Sequence, residues 1–220
     1  MSPRPFAVDD EVMTCIRPAQ ARDVRDIATL HEAAMGNSLW ARIGLRFLCT
    51  MYRALIDDER FLCFVYDDGA VRGFIAGSLD TDQMMQQTFR RSWPALSIAA
   101  FPGALHPGVL RQLFGTRQYT EVSGGPPMPE SLFCSFEPAL RGRRISGHIN
   151  KVLFDELLAR GHQRVKVTTE VDNEGANRQL TSWGFVDAGR FRFYGKQMVR
   201  YELDLRSSDR VDPVSRHPAV

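Results

Sequence analysis

The alternation of apolar and polar positions divides the chain into elements before any chemistry is considered. Residues 13–17 read as a short strand that Pro18 ends. Val24, Ile27, Leu30 and Ala34 then recur at spacings of three or four, which predicts a helix with one buried face, stopped by Gly36 and Asn37. Trp40, Ile43, Phe47, Leu48, Met51 and Leu55 continue the helical spacing in a second helix. Two apolar runs, 61–66 and 71–79, flank Asp67, Asp68 and Gly69, and an Asp-Gly turn between such runs predicts a hairpin. A further apolar run, 131–136, ends near Pro138. Ile149, Val152, Leu153 and Leu157 predict a helix closed by Gly161, and Val165, Val167, Thr169 and Val171 alternate with polar residues as a half-buried strand does. A short helix over 176–183 and a hairpin near 185–193 and 197–205 complete the pattern. Interleaved strands and helices of this kind place the chain in the mixed α/β (α+β) class.

Residues 81–120 interrupt that order. Met84, Met85, Phe89, Trp93, Leu96, Ile98, Phe101, Leu110, Leu113 and Phe114 are broken by Pro94, Pro102 and Pro107, which predicts short amphipathic helices. No acid occurs between Asp82 and Glu121, whereas Arg90, Arg91, Arg111 and Arg117 do. That composition suits a cap packed on the core or a homodimer contact. A lid over an anionic acceptor and, less favoured, a membrane-surface contact are its other uses.

With 220 residues, 44% of them hydrophobic, the chain can build one well-cored domain, expected over 13–205. A flexible arm is expected over 1–12 and a flexible tail over 206–220, where Pro and charge replace apolar residues. The net charge of +2 gives no reason to expect a nucleic-acid partner. Cys15, Cys49, Cys63 and Cys134 stand singly, without metal-ligand spacing, so no metal is expected and a reducing, cytoplasmic setting fits. The first residues lack the cationic start and apolar core of a secretory signal, and no apolar run is long enough to span a bilayer.

The chemistry-bearing stretch is 130–185. An apolar strand ends at Phe136, Glu137 and Pro138, and the loop Arg141, Gly142, Arg143, Arg144, Ile145, Ser146 leads directly into a helix. The first turn of a helix carries unpaired N–H groups and the positive end of the macrodipole, and Arg adds donors matched to phosphate oxygens. Downstream stand Asn173, Ala176, Gly184 and Phe185. Together these residues resemble the GNAT superfamily of acetyl-CoA-dependent N-acetyltransferases, whose loop reads Gln/Arg-x-x-Gly-x-Gly/Ala and whose later motif reads Asn-x-x-Ala…Gly-Phe. Arg144 and Ser146 replace the two loop glycines, and Leu180 stands where many members carry a tyrosine that protonates the leaving thiolate.

The resemblance implies a mostly antiparallel central sheet flanked by helices, with 81–120 as a helical insert between the third and fourth strands. It implies acetyl transfer from acetyl-CoA to a primary amine of a small acceptor, such as an amino sugar or a nucleotide-linked sugar. It assigns cosubstrate contacts to the backbone of Cys134 and Phe136, to Arg141, Gly142, Arg143, Arg144, Ile145 and Ser146, and to Asn173. Glu130, at the head of the central strand, is the candidate general base, against the reading of a solvated carboxylate; Glu170 and Glu137 are runners-up. Tyr194 or solvent would protonate the thiolate. His31 reads as a packed or rim residue, and Asn37, Ser38 and Trp40 lie in a loop that borders the acceptor site in the resembled fold. The alternative is a GNAT-fold module that binds CoA or a partner without turnover.

Overall fold

The computed structural model describes residues 7–36, 38–101, 127–193 and 195–212. Seven strands form one sheet: β1 (Ile16–Pro18), β2 (Phe61–Asp67), β3 (Val71–Ser78), β4 (Glu130–Phe136), β5 (Arg164–Glu170), β6 (Val186–Phe193) and β7 (Lys196–Asp204). Their order is β1-β2-β3-β4-β5-β7-β6, and every adjacent pair is antiparallel except β4 and β5. The expected mixed, mostly antiparallel sheet is therefore present.

The helices are α1 (Asp10–Thr14), α2 (Val24–Ala34), α3 (Leu39–Ile43), α4 (Leu45–Ile56), α5 (Thr81–Ala100), α6 (Ile145–Ala159) and α7 (Glu174–Ser182). β2 is buried along both faces, which explains its unbroken apolar run. Phe61, Cys63, Val65, Phe74 and Ala76 pack with α2, α4 and α5 in one core. Leu62, Phe64, Tyr66 and Ile75 pack with α6 residues Ile149, Leu153 and Phe154 in the other.

Four segments differ from the pattern reading. The second helix, read as continuous from Trp40 to Leu55, is broken into α3 and α4 at Gly44, whose φ is +117°. Residues 10–14 form a helix where 1–12 read as an arm and 13–17 as a strand. Asp9 caps it, accepting from the amides of Glu11 and Val12, and Asp10 and Glu11 complement the positive end of its first turn. In the insert, α5 is a single helix that contains Pro94, capped by Asp80 through the Gln83 amide. It buries Met84, Thr88, Leu96 and Ala99 and exposes Trp93, Ile98 and Phe101. The part of the insert after 101, with Arg111 and Arg117, lies outside the described residues. At the C-terminal end, residues 206–212 rest on the body of the protein where a tail was expected from 206. Lys151 Nζ donates to the Arg210 carbonyl at 2.8 Å, and the Asp212 amide donates to Asp155 Oδ1 at 2.8 Å. Among the described residues, no helix is long and apolar enough to cross a membrane.

Candidate active site

β4 carries one residue more than its partner. Ala76 faces Phe133 and Gly77 faces Ser131, so Leu132 is bulged out of the ladder. Beyond the bulge β4 leaves β5. The two strands pair only at Glu130 with Lys166 and Ser131 with Val167, although each strand has seven residues. From Leu132 to Phe136 and from Thr168 to Glu170 the facing backbones form no ladder, and a slot opens between them. β3 backs the slot closely: a Cβ on Gly73 would fall 2.1 Å from the Phe136 ring, and one on Gly77 would fall 3.1 Å from the Glu130 carbonyl oxygen.

The loop at the open end follows from local sequence. Pro138 starts a 3-10 turn over Pro138–Leu140, and Leu140 and Ile145 are buried anchors on either side of an exposed Arg-Gly-Arg-Arg bridge. Gly142 has φ +81°, and Arg144, the N-cap of α6, is left-handed at φ 59° and ψ 9°. Arg144 therefore takes up the backbone that a glycine adopts most readily. The amides of Gly142, Arg144, Ile145 and Ser146 have no hydrogen-bond partner among the described residues. They surround the positive end of a 15-residue helix.

Among solved structures, the chain is similar to an N-acetyltransferase from Staphylococcus aureus Mu50, at 19% identity and a TM-score of 0.56 over 86% of this chain and 97% of that one. It is similar to the ribosomal-protein-S18-alanine N-acetyltransferase of Escherichia coli at 15% identity and a TM-score of 0.53, over 86% and 92% of the two chains. A GNAT-family acetyltransferase from Bacillus cereus gives 13% and 0.52, over 86% and 95%. The chain has the GNAT fold. No family model matches the sequence, and neither does any curated protein.

Within this GNAT fold the expected site residues occupy distinct places. Cys134 and Phe136 lie on the part of β4 that has left β5, and Arg141 to Ser146 form the loop at the end of the slot. Asn173 is the N-cap of α7, its Oδ1 accepting from the Ala176 amide at 3.2 Å, which gives the Asn-x-x-Ala spacing a structural reason. Cys134 is exposed as a residue, yet desolvation pushes its thiol up to about 12, eased by Asn150 Nδ2 at 4.0 Å from Sγ. The group is therefore a protonated thiol near neutrality and not a thiolate nucleophile.

Glu130 is buried, at 2% exposure, and is not a solvated carboxylate. Thr81 Oγ1 donates to its Oε2 at 3.1 Å, and Lys166 Nζ stands 3.6 Å from the same oxygen. The runners-up are engaged elsewhere: Glu170 pairs with Lys196, and Glu137 with Arg72 at 2.9 Å. Leu180 is buried in the α6-side core together with Trp183 and Phe185, so the position of the usual tyrosine is filled by packing. Tyr194 lies outside the described residues.

Two features were not read from the sequence as parts of a site. His148 on α6 bridges the loop and the N-terminal segment: its Nδ1 is 2.9 Å from the Arg144 carbonyl, and its Nε2 accepts from the Asp9 amide at 2.9 Å. A cavity of about 450 Å3 lies between residues 7–10 and Arg143, Arg144 and His148. On the opposite side of the sheet His31 is wholly buried, with Nδ1 2.6 Å from Tyr52 Oη and Nε2 3.3 Å from Ser38 Oγ. Its ring lies 4.8 Å from that of Phe133, beside the bulge, and stacks on Trp40 at 6.3 Å. Both histidines sit on helix faces that read as ordinary packing; only the chain's return from distant segments gives them partners.

Proposed function

We propose that this protein is a cytoplasmic acetyltransferase that moves an acetyl group from acetyl-CoA to a primary amine of a small acceptor. The observation that carries the reading is the β4–β5 slot, opened at the Leu132 bulge and ending at four amides without a partner among the described residues. The residues fit the cosubstrate. Backbone groups of Cys134 and Phe136 would pair with the extended arm, and the amides of Gly142, Arg144, Ile145 and Ser146 would receive the pyrophosphate with help from Arg141 and Arg143. Asn173, its Oδ1 committed to Ala176, would offer Nδ2 to the arm from the neighbouring strand end.

Acetyl-CoA supplies an acyl thioester open to attack by an amine. Glu130 accepts the proton that the amine loses as its C–N bond forms and the C–S bond breaks, directly or through water. Thr81 and Lys166 hold that carboxylate in place. Solvent supplies the proton for the departing thiolate, since Leu180 cannot. Arg90 and Arg91 on α5 favour acceptors with phosphate or carboxylate groups, such as nucleotide-linked amino sugars. The burial of Leu180 favours a second reading, a GNAT-fold module that binds CoA without turnover.

Thiol release from acetyl-CoA in the presence of an amine panel separates the two. The enzyme reading expects release that Glu130→Gln lowers about 10²-fold, with little change in CoA affinity and partial recovery at high pH, where the amine deprotonates unaided. CoA-dependent thermal stabilisation without thiol release from any amine would establish the binding module instead.

A further inference from the structure

A line of polar groups runs from the interior to the half-exposed Ser38, and burial fixes its direction. Tyr52 is 0% exposed, and His31 Nδ1, at 2.6 Å, is the only hydrogen-bond partner of its hydroxyl among the described residues. A buried O–H left without an acceptor forfeits its hydration, so Tyr52 donates and Nδ1 accepts. Burial pushes the His31 pKa down to about 4, which keeps the ring neutral at physiological pH. Its single proton then sits on Nε2 and is donated to Ser38 Oγ at 3.3 Å. The Ala41 amide donates to the same oxygen at 3.3 Å, as expected of the N-cap of α3. Both lone pairs of Ser38 Oγ are thereby used, and its own O–H can only donate outward.

The half-exposed Ser38 is joined to the bulge through His31. His31 packs on Phe133, next to Leu132, and Ser135 Oγ donates to the Leu30 carbonyl at 3.0 Å, so the end of α2 rests on the part of β4 that has left β5. Trp40 stacks on the His31 ring and lies 5.4 Å from the Phe133 ring as well.

We propose that Ser38 is a substrate-positioning donor, oriented by Tyr52 through His31, and that the acceptor it serves carries an oxygen atom, hydroxyl or carboxylate, close to its amine. The assignment rests on the acetyltransferase reading and narrows its substrate class. An amine without such an oxygen gains nothing from the Ser38 hydroxyl. A donor facing an apolar group in a partly desolvated site is left unpaired, and that difference is the source of selectivity.

Two pairs of amines test it: glucosamine against cyclohexylamine, and 2-aminoethanol against ethylamine. The wild type is expected to prefer the oxygen-bearing member of each pair by about tenfold in kcat/KM. Ser38→Thr keeps both cap and donor and should keep the preference. Ser38→Asp keeps the cap but has no donor when ionised, and should lose the preference at unchanged KM for acetyl-CoA and unchanged thermal stability. Tyr52→Phe removes the donor that fixes the His31 tautomer, so the Nε2–H and Nδ1–H forms should both be populated and the preference should weaken. A purely structural Tyr52 would lower the melting temperature and leave the preference intact. Nitrogen-15 NMR of the His31 ring gives a readout independent of turnover: the Nε2–H tautomer is expected, and Nδ1–H would overturn the donor assignment. A preference that survives Ser38→Asp would overturn it equally. Absence of turnover by the wild type with all four amines would overturn the acetyltransferase reading itself.

Discussion

Arg144 pays a conformational cost at the centre of the candidate phosphate loop. A non-glycine residue in the left-handed region loses roughly 1–2 kcal/mol to the clash of its Cβ, and glycine gives back about 0.5–1 kcal/mol in unfolded-state entropy. Arg144→Gly is therefore expected to raise stability by about 0.5–1 kcal/mol in denaturant unfolding. If the backbone amides hold the pyrophosphate, CoA affinity should change little. A tenfold loss would make the Arg144 guanidinium itself a ligand. His31 supplies a second residue-scale prediction. Its folded-state pKa, about 4, lies below the ordinary 6.5, so the unfolded chain binds more protons between those values. The corresponding stability is full above pH 6.5 and is lost as pH falls toward 4, with about 2 kcal/mol gone at pH 5. Melting temperatures at pH 7 and pH 5 should differ more in the wild type than in His31→Gln. Equal differences would mean that the buried ring does not set the slope.

At the scale of elements, α6 joins three parts of the molecule. Its start adjoins the candidate phosphate loop, its apolar face fills one core, and its buried Lys151 and Asp155 hold the C-terminal segment. Lys151 Nζ lies 3.0 Å from Asp155 Oδ2, with both side chains almost fully buried. Desolvation pushes the Asp155 pKa up, and the Asp212 amide and Lys151 oppose that shift. Removing one partner strands the other, so Lys151→Met should cost roughly 3–5 kcal/mol, whereas Lys151→Met with Asp155→Leu should recover most of it. Urea unfolding of the two variants checks this. An additive loss in the double variant would show that the pair is not coupled. The same reasoning explains why 206–212 is ordered: the Arg210 carbonyl and the Asp212 amide complete the hydrogen bonds of a buried ion pair, and Arg210 lies 5.4 Å over the Trp183 ring.

For the molecule as a whole, ligand binding and stability are linked. Acetyl-CoA at a hundredfold excess over its Kd should stabilise the folded chain by about 2.7 kcal/mol, or roughly 5–11 °C in melting temperature for a protein of this size. Arg141→Glu with Arg144→Glu places two carboxylates beside the loop amides and should abolish the shift while leaving the apo protein folded. A double variant that is stabilised as strongly as the wild type would move the site away from this loop. The sheet itself suits such a role. Helices cover both faces of its β1–β3 half, which leaves the candidate site on the line where β4 and β5 part.

Much of this was legible in the chain. The apolar run of β2, the Asp-Gly turn, the period-two pattern of β5 and the loop between Pro138 and Ser146 each follow from local rules of spacing and turn chemistry, and together they led to the fold. The sequence also began a short helix at Ala176, and the structure shows Asn173 capping it. What it could not decide depended on register and on distant partners. A bulge at Leu132 is invisible until β3 is laid beside β4, because Ser131, Leu132 and Phe133 carry no glycine or proline to mark it. Arg144 shows no sign in one dimension of its left-handed backbone, which is imposed by buried Leu140 and Ile145 on either side. The environments of Glu130, His31 and His148 come from residues 36, 49, 21 and 139 positions away in the cases of Lys166, Thr81, Tyr52 and Asp9. Local sequence sets which elements form; only their packing brings a carboxylate, an imidazole or an amide into contact, since hydrogen bonds act over about 3 Å whatever the separation along the chain.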